Sequence, residues 1–326
     1  MMDNNNKLGI CIPTYNRDKY IDKCLDSITR EFRDYEYPIY ISDNCSDDNT
    51  EFIVRSYQKR FENITYFKNH SNLGMYKNIL NVIKLARTEY VWLLGDDDAI
   101  QKDSLERVVK AIGQGYDYVV LNSVPYDSNL EMNKGKKIIN CTQDMEFKVG
   151  ESQKLLINLK KSGYHGYMSS MVIRTQLLHD LIPKYYDESF SMYNCIWLPL
   201  AMFYEAIKDK TGIFLCNPII LNRDNTRPSG KNYWNYIYVD RIKAINYLVT
   251  QDYSLSALRI AADFSIRETF IVAVLSKRQS QDIKLFADFV KNDSFIPLRI
   301  KLTIVFIDII PIAFITNLYK ILDHIR

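Results

Sequence analysis

A run of five apolar residues, Tyr90–Leu94, is followed at once by a glycine and three aspartates, Asp96, Asp97 and Asp98. A short run without any polar side chain is typical of a strand that is buried on both faces of a sheet. In open α/β sheets, ligands bind beyond the carboxyl ends of the strands. Three neighbouring carboxylates repel one another unless a cation compensates their charge. The pattern therefore predicts a central strand that presents an acidic loop at the ligand-binding edge.

Strand-like and helix-like segments alternate through the first part of the chain, which predicts an α/β fold: a mainly parallel sheet with helices on both faces. The strand segments are short apolar runs, and the helical segments carry apolar residues every three or four positions. Asp18 is the predicted N-cap of the first helix. The predicted strands span residues 8–12, 38–42, 64–67, 90–94 and 118–121, and the predicted helices span residues 20–32, 50–60, 74–86 and 104–112.

The second half of the chain has a less regular pattern. Residues 125–148 are polar and are interpreted either as a hairpin or as a loop. A strand is predicted at residues 168–173. Two short strands are predicted within residues 213–221, separated at Pro218, because proline cannot donate a hydrogen bond to a neighbouring strand.

Composition narrows the class of protein. With 47% hydrophobic and 25% charged residues, the chain is expected to be globular rather than disordered. A net charge of +3 gives no indication of a nucleic-acid partner. The six cysteines include no CxxC pair, and the N-terminus carries no secretory signal. We therefore expect reduced thiols in a cytoplasmic protein.

Polar loops follow three other predicted strands, at residues 13–17, at Asp43 and at residues 72–78. Each has a plain structural explanation: a proline-capped turn, turn and helix-cap chemistry, or an ordinary helix entry. Each also suits a nucleotide, because backbone amides at a helix start bind phosphate and a carboxylate accepts hydrogen bonds from a base or ribose. Together with the acidic loop, they favour a nucleotide site over four unrelated turns.

The order of these loops resembles the nucleotide-sugar domain of the family 2 glycosyltransferases, which has the GT-A fold. The resemblance covers residues 1–125 well and continues weakly to residue 225. The sequence Trp-Leu-Leu-Gly-Asp-Asp-Asp at residues 92–98 most resembles that of the abequosyltransferase-type branch, whose enzymes build bacterial surface polysaccharides. The matching segments are residues 10–17, 41–47, 72–78 and 92–98.

The resemblance implies metal-dependent, inverting transfer of a sugar from a nucleotide-diphosphate donor to a hydroxyl of a bacterial surface glycan, either free or lipid-linked. UDP is the favoured donor nucleotide, and Mn2+ or Mg2+ is the implied cofactor. A GT-A domain is implied at residues 1–232, with a donor half at 1–125 and an acceptor half at 126–232. Because residues 234–290 have a helical pattern, we place a boundary near Asn232 and a helical C-terminal region at 233–326.

Carried over position by position, the resemblance implies individual donor and metal contacts. The implied metal ligands are Asp97 and Asp98. Gly95 stands where the family usually has the first Asp of an Asp-x-Asp-Asp motif, so either Asp96 or Asp98 has to take over a ribose or metal contact. The implied donor contacts are Pro13, Thr14, Tyr15, Asn16, Arg17, Asp43, Asn72, Gly74, Lys77, Asp96 and Asp97.

An inverting transfer needs a carboxylate that removes the proton of the acceptor hydroxyl. The family usually supplies it from a Glu-Asp pair downstream of the acidic motif, but residues 189–197 contain no acid. Asp187 and Glu188, just upstream, are the candidates for this catalytic base. The fallback candidates are Asp180, Glu205 and His165.

Two further features have alternative interpretations. Arg223 is either a ligand of a donor or lipid phosphate, since guanidinium suits bidentate oxygen contacts, or part of a surface ion pair. Residues 296–326 are strongly apolar with basic flanks. They are interpreted either as an interfacial segment on the inner face of the cell membrane or as helices packed on the protein itself.

Two other classes of protein stay open. A sugar-phosphate nucleotidyltransferase also combines carboxylates, a metal and a nucleotide, but it usually has a loop rich in glycine and basic residues where this chain has residues 13–17. A non-catalytic scaffold that binds a glycan or a nucleotide would keep the fold without a base, and the absence of an acid in residues 189–197 leaves that class open.

Overall fold

The computed structural model describes residues 6–32, 37–159, 167–195, 197–223 and 240–261, together with Leu302. The strands within these ranges are β1 (Leu8–Thr14), β2 (Ile39–Asp43), β3 (Ile64–Lys68), β4 (Tyr90–Leu93), β5 (Ala99–Ile100), β6 (Tyr118–Tyr126), β7 (Met145–Phe147), β8 (Met171–Arg174) and β9 (Gly212–Arg223). The helices are α1 (Ile21–Thr29), α2 (Thr50–Gln58), α3 (Gly74–Leu85), α4 (Ser104–Ile112), α5 (Ser152–Asn158), α6 (Thr175–His179), α7 (Ile182–Tyr186), α8 (Leu198–Ile207), α9 (Asp240–Thr250) and α10 (Leu255–Ala261).

The strands form one mixed sheet in the order β3-β2-β1-β4-β8-β6-β9-β5, and β7 also pairs with β9. The first four of these strands are parallel, and α1, α2 and α3 connect them along the chain. β8 is inserted antiparallel between β4 and β6, whereas β9 runs parallel to β6. A mostly parallel sheet covered by helices confirms the predicted fold class.

Consecutive residues of β4 point to opposite faces of the sheet, as in any strand, and both faces are buried. Val91 and Leu93 belong to a hydrophobic cluster with α3 and α8. Tyr90 and Trp92 belong to a second cluster with α1, α2 and α4. Because every position of β4 meets apolar side chains, the strand carries no polar residue until the sheet ends at the acidic loop.

β9 is one long strand, so the prediction of two short strands separated at Pro218 is wrong. The register of β9 against β6 shifts between the pairs Leu121–Leu215 and Ser123–Ile220. Pro218 lies within this irregularity, where β9 has extra residues relative to β6. A proline is accepted in a strand at such a bulge, because it has no ladder hydrogen bond to donate there.

Two other local predictions are also corrected. Residues Met168–Ser170 form a 3-10 helix, and the predicted strand begins only at Met171. Asp18 does not cap the first helix: α1 begins at Ile21 and has no side-chain cap. The Asp18 backbone N–H instead donates to the carboxylate of Asp48 at 3.0 Å, which ties the loop after β1 to the loop after β2.

A disulfide joins Cys141 to Cys216, so the expectation that all cysteines are reduced is wrong for this pair. The bulged part of β9 presents Cys216 to the polar segment before β7, where the Asp144 carboxylate accepts a hydrogen bond from the Cys216 N–H at 2.7 Å. The Lys137 ammonium lies 3.1 Å from the Cys216 sulfur. The free cysteines of the described ranges are Cys11, Cys24, Cys45 and Cys195.

We expect Cys141→Ser to lower the free energy of unfolding, because the disulfide closes a chain segment of 75 residues. In the chain-entropy model a closed segment of this length contributes about 4 kcal/mol. Urea denaturation without reductant measures the loss, and Cys45→Ser, which removes a free thiol, serves as the control. An unfolding midpoint that is the same with and without dithiothreitol would contradict the assignment of the disulfide.

The C-terminal region is described only at its start, where α9 and α10 are helical as predicted. Ala244, Leu248 and Leu258 join the hydrophobic cluster that contains α8. The domain boundary near Asn232 and the segment 296–326, apart from Leu302, lie outside the described residues, so both stay predictions. Among the helices that the structure describes, none is long and apolar enough to cross a bilayer.

Candidate active site

The loops after β1 and β2 are hydrogen-bonded to each other at the carboxyl edge of the sheet. The Asn16 N–H donates to the Ser46 hydroxyl at 2.9 Å, and the Asn16 side chain accepts from the Asp47 N–H at 3.0 Å. The Arg17 N–H donates to Thr50 at the start of α2 at 2.8 Å. Tyr15 projects from this pair of loops and is 42% exposed. The structure therefore brings the segment 13–17 and Asp43 to one place, as the sequence predicts.

Asp43 is fully buried and held in one orientation. One carboxylate oxygen accepts hydrogen bonds from the N–H and the hydroxyl of Ser46, at 2.8 and 2.6 Å. The other accepts from the Tyr66 hydroxyl at 2.5 Å. Burial and this carboxylate together raise the pKa of Tyr66, so Tyr66 stays a donor. Two carboxylate oxygens have about four acceptor positions, which leaves Asp43 capacity for one more donor.

Asparagines join these loops to α3 through a buried polar network. The Asn78 amide donates to the carbonyls of Ser42 and Thr14, at 2.9 and 3.3 Å, and accepts from the Ser42 hydroxyl at 2.7 Å. The side-chain oxygen of Asn44 accepts from the backbone N–H of Leu73 at 2.8 Å. The side-chain oxygen of Asn72 accepts from the side-chain amide of Asn44 and from the backbone N–H of Gly74, both at 2.8 Å.

This network fixes where α3 begins relative to the ends of β1 and β2. Gly74 has a φ of 80°, a left-handed conformation that favours glycine. Asn72 and Gly74 therefore shape the loop, and their predicted donor contacts stay predictions. The sequence analysis did not assign a role to Asn69, whose amide donates to Asn78 at 3.0 Å. A run of asparagines before and within α3 is the sequence signal that could have indicated it.

The acidic loop after β4 lies between two arginines. Asp96 is 7% exposed and lies 3.4 Å from the Arg17 guanidinium. Arg223 is 5% exposed; its Nε donates to the Asp97 carbonyl at 2.6 Å, and its guanidinium lies 4.9 Å from the centre of the Tyr20 ring. The interpretation of Arg223 as part of a surface ion pair is therefore wrong, because its side chain is buried at the end of β9.

Buried charge changes the protonation of this loop. Burial raises the pKa of Asp96, and the neighbouring charge of Asp97 raises it further, while Arg17 opposes both. Burial and Asp97 raise the pKa of Asp98 in the same way. Burial lowers the pKa of Arg223, and the charges of Asp97 and Asp98 oppose that shift. The loop therefore favours a ligand that brings positive charge to the carboxylates.

The carboxylates of the acidic loop differ in what they contact. Both oxygens of Asp98 accept hydrogen bonds, from Tyr167, Ser169 and the end of β9. The Asp97 carboxylate is partly exposed and has no hydrogen-bond partner among the described residues. Nη2 of Arg223 is buried and likewise has no partner within the described ranges. The site thus has two charged groups without a hydrogen-bond partner among the described residues: the Asp97 carboxylate, which is partly exposed, and the Arg223 Nη2, which is buried.

Gly95 differs from the family pattern for a steric reason. A Cβ at this position would lie 3.0 Å from the Asp97 carboxylate, 3.2 Å from the Ser169 hydroxyl and 3.3 Å from the Asp98 carboxylate. The Gly95 N–H donates to the Ser169 hydroxyl at 2.9 Å. A side chain at position 95 would be tight against these groups, which would have to shift by a few tenths of an ångström to accept the family's first Asp.

The candidate bases lie on the segment after α7. Glu188 accepts from the Tyr193 hydroxyl at 2.8 Å and lies 3.3 Å from the Lys77 ammonium. These two contacts lower the pKa of Glu188. Asp187 accepts from the N–H and the hydroxyl of Ser189, at 2.9 and 2.7 Å, which lowers its pKa. The structure therefore places the predicted base segment beside Lys77, the predicted diphosphate contact.

The fallback bases have less suitable surroundings. The Glu205 carboxylate accepts hydrogen bonds from Lys184, Tyr185 and Tyr247, at 2.6 to 2.8 Å, within the packing of α7, α8 and α9. Asp180 accepts from Gln176 at 2.6 Å. His165 lies outside the described residues.

A metal would find few protein ligands at this edge. No group of three or more His, Cys, Asp or Glu in the described parts of the chain is arranged to hold an ion. Mg2+ commonly takes one or two carboxylates and completes its shell with substrate phosphates and water. The unpaired carboxylate of Asp97, on a loop that the Arg223 guanidinium contacts through the Asp97 carbonyl, fits a metal that binds together with a diphosphate.

The parallel donor half of the sheet and the acidic loop after its fourth strand define a GT-A-like glycosyltransferase fold. The family described as Glycosyl transferase family 2 matches residues 9–181, which is more than half of the chain. The chain therefore belongs to glycosyl transferase family 2, and the predicted family is confirmed.

Two curated relatives show what kind of proteins this chain is similar to. It is 30% identical over 183 residues to the abequosyltransferase RfbV of Salmonella typhimurium, a match of 52% of this chain and 53% of the relative. It is 34% identical over 118 residues to the GalNAc(5)-diNAcBac-PP-undecaprenol beta-1,3-glucosyltransferase of Campylobacter jejuni, a match of 36% of this chain and 38% of the relative. The chain thus spans about half or less of these relatives.

Solved structures support the fold. The crystal structure of S. aureus TarS 1-349 in complex with UDP-GlcNAc matches with a TM-score of 0.61 at 19% sequence identity, covering 90% of this chain and 82% of that one. A second TarS 1-349 structure, in complex with UDP, matches with the same TM-score and coverage at 20% identity. The predicted GT-A fold is confirmed.

We expect Asp96→Asn to stabilise the ligand-free protein at neutral pH and to do so less at acid pH. The pKa of Asp96 is raised from 3.8 to about 7, so its protonated form contributes stability that is lost as the pH rises through that range. The asparagine does not titrate and avoids this loss. Melting temperatures of variant and wild type, compared from about pH 5 to about pH 8, measure the difference.

The control is Asp47→Asn, which makes the same substitution at an exposed carboxylate. Its effect should change little with pH. A difference in melting temperature between Asp96→Asn and wild type that stays constant over the whole pH range would contradict a pKa of Asp96 raised by burial.

Proposed function

We propose that this chain is a metal-dependent, inverting glycosyltransferase that transfers a sugar from a UDP-sugar to a hydroxyl of a bacterial surface glycan, free or lipid-linked. The observation that carries the proposal is the buried Arg223, whose Nη2 has no partner among the described residues and which contacts the acidic loop. A cation and a carboxylate side by side suit a diphosphate with its metal. The Campylobacter jejuni relative, which is named for an undecaprenol-linked glycan, supports the acceptor class.

The donor would lie along the edge formed by the loops after β1, β2 and β4. Tyr15 offers an exposed ring to the base. Asp43 is fully buried in the ligand-free protein and keeps one acceptor position for a base N–H that reaches it. Asp96 is oriented by Arg17 toward the same edge and suits the ribose hydroxyls. Lys77 and Arg223 supply positive charge for the diphosphate. The TarS structures, which are complexes with UDP and UDP-GlcNAc, support a nucleotide-sugar donor for a protein of this fold.

Mn2+ or Mg2+ is proposed at the acidic loop, with the partly exposed carboxylate of Asp97 as its protein ligand. The family motif also implies Asp98, whose two oxygens already accept hydrogen bonds from the protein. A bound divalent ion would stabilise the negative charge that develops on the leaving diphosphate. The protein adds two cationic side chains for the same charge: Arg223, which is buried, and Lys77, which reaches from α3. A cation that is buried interacts more strongly with developing charge than one in water.

The acceptor hydroxyl would be deprotonated by Glu188 or Asp187. Both carboxylates have a lowered pKa and are therefore ionised at neutral pH, as a base has to be. Glu188 is paired with Lys77 at 3.3 Å in the ligand-free protein. A diphosphate that attracts Lys77 would weaken this pair and leave Glu188 available to the acceptor. The acceptor oxygen then attacks the anomeric carbon from the side opposite the leaving group, which inverts its configuration.

We expect Asp97→Asn to reduce sugar transfer about 100-fold or more, as the loss of a few kcal/mol of charge stabilisation requires. The assay is release of UDP from a panel of UDP-sugars with Mn2+, with and without glycan acceptor. Asp47→Asn is again the matched control and should keep the wild-type rate. Wild-type rates in Asp97→Asn would contradict the role of Asp97. If the wild-type protein releases no UDP from any sugar donor, a non-catalytic scaffold is favoured instead.

The two candidate bases are separated by Glu188→Gln and Asp187→Asn. Removing a general base is expected to lower kcat about 10²- to 10⁴-fold without abolishing UDP binding. We expect this loss in Glu188→Gln, because Glu188 lies beside the predicted diphosphate contact, and little change in Asp187→Asn. If both variants transfer sugar at the wild-type rate, the base lies outside this segment.

A further inference from the structure

Asp98 is the carboxylate of the acidic loop that is most completely enclosed by its own chain. Its side chain is buried, and the residue is 3% exposed. One oxygen accepts from the hydroxyls of Tyr167 and Ser169, each at 2.5 Å. The other accepts from the Arg223 N–H at 3.3 Å and from the Asn222 amide at 3.4 Å. We call Asp98 and these four partners the Asp98 cluster.

The partners in the Asp98 cluster are themselves held in place. The Asn222 amide also donates to the Tyr167 hydroxyl at 2.9 Å. The Ser169 hydroxyl accepts from the Gly95 N–H at 2.9 Å, and the Ser169 carbonyl accepts from the Trp92 indole at 2.8 Å. The cluster therefore joins the loop after β4, the segment before β8 and the end of β9. β4 and β9 are not neighbours in the sheet, since β8 and β6 lie between them.

Arg223 is bonded to two successive aspartates of the loop. Its backbone N–H donates to the Asp98 side chain at 3.3 Å, and its Nε donates to the Asp97 carbonyl at 2.6 Å. These two bonds set the distance between the end of β9 and the acidic loop. They also leave the Asp97 carboxylate and the Arg223 Nη2 without hydrogen-bond partners among the described residues.

A metal ligand needs free lone pairs, and a carboxylate has about four acceptor positions. In Asp98 these positions are taken by four donors from the protein. Metal coordination by Asp98 would break at least one short hydrogen bond from a buried hydroxyl, and a buried hydroxyl left without a partner costs free energy. Asp97 can coordinate a metal without any such loss.

We infer that Asp98 is a positioning residue and not a metal ligand: the Asp98 cluster fixes Asp97 and Arg223 on either side of the place where a metal-bound diphosphate would bind. This inference rests on the proposed function. The protein then supplies one carboxylate to the metal, and the diphosphate supplies further oxygens. Gly95 belongs to the same arrangement, because a side chain there would displace the Ser169 hydroxyl from Asp98.

The test compares Asp98→Asn with Asp97→Asn, and adds Tyr167→Phe, which removes a single donor and is less disruptive to the fold. Tyr186→Phe is the matched control, because the Tyr186 hydroxyl bonds Asn81 away from the acidic loop. Mn2+ affinity is measured by electron paramagnetic resonance in the presence of UDP. kcat and the apparent KM for Mn2+ are measured at a temperature well below the melting point of every variant.

We expect Asp97→Asn to weaken Mn2+ binding at least about 100-fold. Asp98→Asn and Tyr167→Phe should keep the Mn2+ affinity within about 10-fold of the wild-type value. At saturating Mn2+, these two variants should lower kcat about 10- to 100-fold. A merely structural role for the cluster would lower the melting temperature but leave kcat unchanged, and that result would overturn the inference. Loss of Mn2+ binding in Asp98→Asn as complete as in Asp97→Asn, with Tyr167→Phe unaffected, would show that Asp98 is a ligand. Absence of Mn2+ and UDP binding in the wild type would instead refute the proposed function, and the inference with it.

Discussion

Two buried carboxylates at the end of β4, with a third between them, are the constraint around which the site is arranged. Ionised carboxylates are costly to bury unless hydrogen bonds or cations compensate them. Asp96 has Arg17, and Asp98 has four hydrogen-bond donors. Asp97 has no hydrogen-bond donor among the described residues, and the charge of Arg223 lies near it. The arrangement is therefore incomplete at Asp97, which is where a metal and a phosphate would add positive charge and oxygen ligands.

The donor edge depends equally on uncharged groups. Asn78 bridges the carbonyls at the ends of β1 and β2, and Asn44 and Asn72 bind the backbone at the start of α3. These amides satisfy backbone groups where the parallel ladder ends, so the loops keep one conformation without a ligand. A preorganised edge reduces the entropy that nucleotide binding would otherwise lose.

Local pattern predicts the donor half of the fold well, because its strands and helices follow one another in simple alternation. The apolar run before Asp96 indicates β4, and the polar loops at Pro13 and Asp43 meet at the edge as expected. The features that the sequence analysis missed depend on residues far apart in the chain. The antiparallel insertion of β8 and the bulge of β9 depend on pairing with β6, and the Cys141–Cys216 disulfide joins positions 75 residues apart in the chain.

The Asp98 cluster was missed for the same reason. Tyr167, Ser169 and Asn222 have no spacing relative to Asp98 that a motif could reveal, because β8 and β9 bring them there only in the folded chain. Gly95 was the one local signal: it departs from the family motif, but only the structure shows that a side chain there would be tight against the Ser169 hydroxyl.

The most direct test of the central claim is a thermal-shift measurement of the wild-type protein with nucleoside diphosphates, each with and without Mn2+. A ligand that binds the folded state raises the melting temperature by mass action. The account predicts a rise with UDP that is larger in the presence of Mn2+, because the acidic loop and Arg223 bind metal and diphosphate together. An unchanged melting temperature with every nucleotide, with or without Mn2+, would contradict it.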